Sequence, residues 1–186
     1  LQRTRLTDLQ IRSSEDAFVD ELFSAAPEFG ATMISAKVAR ACVDLNRAPD
    51  DLDPALISGA SRRFLNPRIA AGLGVIPRVV ADGRQIIDGK ITLAEAQRLL
   101  EQYWRPYHAS LGTLLKDRRK EFGAAVLFDC HSMPSDAIHS LAAKGRGRPE
   151  IILGDRFGAA CGRWLIEAAT EAFRGTGFRV SHNAPF

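Results

Sequence analysis

The run AAVLFDCHSMP, residues 124–134, sets small and apolar side chains next to one another and then breaks into Asp129, Cys130, His131 and Ser132. A continuous apolar run following a charged segment is the pattern of a strand buried on both faces, as a parallel sheet requires. In open α/β sheets, ligands bind beyond the carboxyl ends of such strands. An aspartate, a histidine and a serine arriving together at that end therefore form a candidate site. The plainer alternative is a capped strand whose His131 satisfies a loop hydrogen bond.

A chain of 186 residues, 46% of them hydrophobic, can bury one substantial core, so a single domain over 1–186 is expected. No stretch approaches the ~18 consecutive apolar residues of a membrane span, and the opening LQRTRLTDLQIR lacks the apolar centre of a secretory signal. These features point to a cytoplasmic protein without a membrane partner. Cys42, Cys130 and Cys161 are widely spaced, with no paired motif, and read as reduced thiols. The formal net charge is only +3, and basic residues are interspersed with acids, which argues against a nucleic-acid partner.

Along the chain, Ser13 or Ser14 followed by Glu15, Asp16 and the apolar Phe18, Val19, Leu22 and Phe23 predicts a first helix to about Ala26. On such a helix Asp16 and Asp20, four apart, share one side. ATMISA and ACVDL then read as short strands, the second ending in Asp44, Leu45, Asn46 and Arg47. A guanidinium beside an amide can hold a carboxylate by two prongs; a local Asp44–Arg47 ion pair is the alternative. The glycines of AAGLGVIPRVV do not make a dinucleotide fingerprint, and Arg78 points either into a site or to solvent. Thr92 and Glu95 form a capping box for a long helix with Leu93, Ala96, Leu100, Tyr103 and Tyr107 on its buried stripe, kinked by Pro106. EIILGD is a strand, Ala159 to Phe173 a helix, and FRVSHNAPF a strand with a polar turn. The alternation predicts an α/β fold with a mixed, largely parallel sheet flanked by helices.

VDLNR at 43–47, GLGVIPR at 72–78, YWRPYH at 103–108, DCHSMPS at 129–135, LGDRFG at 153–158 and HNAPF at 182–186, in that order, resemble the N-formylglutamate amidohydrolase family over essentially the whole chain. The resemblance implies a fold similar to zinc carboxypeptidases and aspartoacylases. It also implies zinc-dependent release of formate from N-formyl-L-glutamate, in histidine degradation. His131 matches a zinc ligand, and Asp16 is the expected acidic ligand, with Asp20 the alternative. Asp129 would orient the imidazole or a further ligand, Asn46 and Arg47 would grip the substrate carboxylate, Arg78 is expected as a third substrate-binding residue, and Arg40 would polarise the carbonyl. The small-molecule substrate is thus an N-acyl amino acid and the cofactor one divalent ion. Two family features, an early Pro-His-Ser-Gly-like segment with a further zinc histidine and a late glutamate fitted to be a general base, are absent from these residues. They are expected in segments flanking the chain. Other N-acyl-amino-acid or small-peptide hydrolases, and a non-catalytic binding protein on the same scaffold, are the competing readings.

Overall fold

The computed structural model describes residues 4–61, 66–133 and 148–184. It divides into two compact units, Leu1–His131 and Ser132–Phe186.

In the first unit, the helices are α1 (Asp8–Arg12), α2 (Val19–Leu22), α3 (Pro67–Ala70), α4 (Leu93–Leu99) and α5 (Arg105–Phe122). Its strands β1 (Ile57–Ser58) and β2 (Ile91–Thr92) pair in parallel, with Ile57 opposite Ile91. Both isoleucines enter the main core with Val43, Leu56, Val75, Ile76, Ala96 and Leu100. Each such aliphatic side chain taken from water contributes about 1.5–3 kcal/mol, so this cluster organises the unit.

The long helix forms as expected. Thr92 ends β2 and caps α4, its hydroxyl accepting from the Glu95 amide while the Glu95 carboxylate accepts from the Thr92 amide. Ala96 and Leu100 are buried, and Leu93 and Tyr103 pack beside them. Pro106 is absorbed by a wide π turn over Leu100–Trp104 that leads directly into α5. Proline lacks the amide for an i to i−4 bond and its ring crowds that carbonyl, so opening the turn lets the helix continue.

Three expectations are corrected. The single helix expected from Ser13 or Ser14 to about Ala26 does not form: α1, capped by Thr7, ends before it at Arg12, and the expected span holds the short α2 and the start of a 3-10 turn at Ala26–Phe29. Phe18, at φ 62, interrupts that span with a left-handed residue, and only Gly adopts that conformation at no steric cost. ATMISA and ACVDL form no strand. Nor does Ala124–Asp129, and its Val126, Leu127 and Phe128 are 44%, 53% and 59% exposed. Apolar alternation or continuity favours a strand only when a neighbouring ladder accepts its backbone groups, and no described strand pairs with these segments.

The second unit holds β3 (Ile151–Leu153), α6 (Arg163–Gly175) and β4 (Val180–His182), with β3 and β4 paired in parallel from Ile151–Val180 to Leu153–His182. The helix starts later than Ala159, with Gly162 at its cap. The described residues thus form a mixed α/β structure with two small parallel strand pairs, in place of the one continuous sheet expected.

Candidate functional site

The site lies within the first unit and is built on the turn Asp44–Arg47. Gly74 sets its depth: a Cβ there would sit 2.5 Å from the Asp51 carbonyl oxygen. Without one, the backbone closes in, and the Val75 amide donates to Asp51 O at 2.9 Å while Val75 O accepts from the Asp44 amide at 2.8 Å. Asp44, 6% exposed, then turns its carboxylate inward, where Oδ1 accepts from the Asn46 amide at 3.0 Å.

His131 is held by groups from three parts of the chain. Its Nδ1 lies 3.1 Å from Asp16 Oδ2, and its Nε2 lies 3.1 Å from Asp129 Oδ2 and 3.1 Å from Nδ2 of the Asn46 side-chain amide. The carboxylate of Asp129, and then that of Asp16, push the imidazole up to about 10, while the same hydrogen bond holds Asp129 below the usual carboxylate range. A proton on Nε2 donated to Asp129 calls for the Asn46 amide to meet the ring through its oxygen.

Arg40 ties the acids together, with Nη1 2.9 Å from Asp16 Oδ2 and Nε 3.2 Å from Asp44 Oδ2. Arg47 Nε stands 3.6 Å from Asp44 Oδ2 and is buried without a hydrogen-bond partner among the described residues. Burial raises the Tyr107 hydroxyl, and the Asp129 charge raises it further.

Of the expected site residues, the structure gathers Asp16, Arg40, Asn46, Arg47, Asp129 and His131, whose contacts link them into one network. Asp16 reaches His131 from the link between α1 and α2, not from a helix face, and Asp20 is exposed on α2. Arg78 has other partners: its Nε donates to the buried Asp53 at 2.8 Å and its Nη2 to Ala70 O at 3.3 Å. The sequence reading gave no role to Trp104 and His108, whose ring nitrogens meet the carbonyls of Arg47 and Leu45. Their signal was present as two polar-edged aromatics one helical turn apart.

The geometry fits part of a zinc site. Two ligands on one tetrahedral ion, each about 2.0–2.1 Å from it, stand roughly 3.3 Å apart, close to the 3.1 Å between His131 Nδ1 and Asp16 Oδ2. Asp129 on the other ring nitrogen is the usual support of a metal-binding imidazole. Among the described residues, no group of three or more His, Cys, Asp or Glu is gathered for a metal.

The family model for N-formylglutamate amidohydrolase matches residues 1–186. An N-formylglutamate deformylase from Pseudomonas putida is 34% identical over 82% of this chain and 52% of its own length. One from Pseudomonas aeruginosa is 33% identical over 86% of this chain and 56% of its own length. The chain therefore spans about half the length of the curated relatives it matches. A crystal structure of N-formylglutamate amidohydrolase from Ralstonia eutropha JMP134 superposes with a TM-score of 0.88 at 34% identity, covering 98% of this chain and 66% of that one.

Proposed function

The chain belongs to the N-formylglutamate amidohydrolase family, and from that premise we propose that the whole protein hydrolyses the formyl amide of N-formyl-L-glutamate to formate and glutamate. The observation that carries this reading is the convergence of Asp16, Asn46 and Asp129 on His131, each at 3.1 Å.

In this reading His131 and Asp16 hold a zinc ion, with a further ligand and the general base supplied from outside the residues described. Held by these residues, the ion would supply Lewis acidity and activation of a water. Asp129 keeps the imidazole oriented by accepting from Nε2. Asn46 and Arg47 bind a substrate carboxylate, which would also give the buried Arg47 Nε the acceptor it lacks. The Arg40 guanidinium, held between Asp16 and Asp44, would stabilise negative charge developing on the formyl oxygen. Arg78, engaged by Asp53, is assigned in this reading to holding the fold.

We further infer an architecture related to zinc carboxypeptidases and aspartoacylases and a cytoplasmic place in histidine degradation. No helix among the described residues is long and apolar enough to cross a membrane. The test is zinc stoichiometry and formate release by the full-length protein. Bound zinc with no formate from N-formyl-L-glutamate overturns the proposal, and release of a different acid from other N-acyl amino acids redirects it to that substrate class.

A further inference from the structure

We propose that Trp104 and His108 are positioning residues that set the substrate-gripping turn Asp44–Arg47 from the face of the long helix. This rests on the deformylase reading of Asn46 and Arg47.

The Trp104 indole Nε1 donates to Arg47 O at 2.9 Å, and His108 Nε2 meets Leu45 O at 2.9 Å. A carbonyl only accepts, so His108 carries a proton on Nε2. The two carbonyls flank Asn46, which is held from both sides. Two N–H groups of the turn face Asp44: the Asn46 backbone amide donates to its carboxylate at 3.0 Å and the Arg47 amide to its carbonyl at 3.1 Å. Asp44 thus accepts from the N–H groups of Asn46 and Arg47, and the helix meets the C=O groups of Leu45 and Arg47.

The two rings act as one unit. Four residues apart, they share a helix face and stack with centroids 3.9 Å apart. Aliphatic side chains could fill this space, but none could satisfy two inward carbonyls. With its carbonyls fixed, the turn presents the Asn46 side chain to His131 and the Arg47 guanidinium beside Asp44 without further ordering when substrate arrives. The wide turn that ends at Trp104 is how the helix delivers this pair while accommodating Pro106.

The test compares Trp104→Phe and His108→Phe, which keep a ring but remove the donor, with His108→Gln, which restores an N–H, in the full-length zinc enzyme. Each phenylalanine variant is expected to raise KM for N-formyl-L-glutamate about three- to tenfold, as for loss of one hydrogen bond, with kcat and zinc content changing less. His108→Gln should recover most of the loss. Amide hydrogen exchange at Asn46 and Arg47 should quicken in both phenylalanine variants. Unchanged KM and unchanged exchange overturn the clamp, as does a loss of kcat and zinc with KM unmoved. A wild-type protein that releases no formate overturns the deformylase reading instead, and the exchange comparison then decides alone whether the clamp exists.

Discussion

Removing either partner of the Asp53–Arg78 pair separates a structural arginine from a substrate-binding one. Asp53 is 2% exposed; its Oδ1 accepts from the Ala55 amide at 2.7 Å and its Oδ2 from Arg78 Nε at 2.8 Å. Asp53→Ala leaves Arg78 Nε and the Ala55 amide without their acceptor, and Arg78→Met leaves a carboxylate in a site with almost no access to water. Breaking one side of a buried pair costs about 3–5 kcal/mol. At roughly 2–4 °C per kcal/mol for a chain of this size, Tm should fall by about 6–20 °C in either variant. In the double variant neither charge is stranded, so the losses should fall short of their sum by about 1–3 kcal/mol. Thermal unfolding of the three variants gives these values, and KM for N-formyl-L-glutamate on Arg78→Met completes the comparison. Single losses under about 1 kcal/mol, or a raised KM with an unshifted Tm, would refute the assignment of Arg78 to the fold.

His131→Ala should lose zinc and turnover together, whereas Arg47→Lys should keep zinc while kcat/KM falls about 10- to 150-fold, the loss of a charge-assisted hydrogen bond of roughly 1.5–3 kcal/mol; zinc stoichiometry alongside steady-state kinetics checks both. In zinc-free protein, the His131 contacts with Asp129 and Asp16 raise the folded-state pKa above the ordinary value of 6.5 to about 10. Their stabilisation is therefore complete below about pH 6.5 and lost as pH rises through about 10, so Tm of the wild type should fall over that range more than Tm of His131→Gln. Parallel pH profiles for the two proteins would show that the pair contributes nothing. Gly74→Ala, with its Cβ directed at Asp51 O, should destabilise by about 1–3 kcal/mol in a thermal melt. Gly112→Ala, in α5 with nothing within 4 Å, should stabilise by about 0.5–1 kcal/mol.

The family was legible in the order of six short motifs, and the residues carrying them include His131 and Asn46, which the fold brings into contact, and Arg47, which it sets beside Asp44. The long helix was legible too, because capping and stripe are local: Thr92 and Glu95 bond across one turn, and Ala96 and Leu100 follow at helical spacing. So were β3 and β4, where each apolar run finds its parallel partner in the other.

Pairing and long-range ion contacts were not legible, because each depends on a group distant in sequence. ACVDL has the composition of a strand, yet its Asp44 amide bonds to Val75 O in a turn, since Gly74 lets that backbone approach. Asp16 was expected beside His131 by way of a helix; that helix does not form there, and the link between α1 and α2 makes the contact 115 residues away. Arg78 has the same guanidinium as Arg47, and no local pattern distinguishes an arginine facing buried Asp53 from one held beside Asp44. The sequence by itself determined the local helix signals and the set of chemical groups. Only the tertiary structure decided which carboxylate each cation meets, because a charge taken from water accepts whichever opposite charge the packing brings within reach.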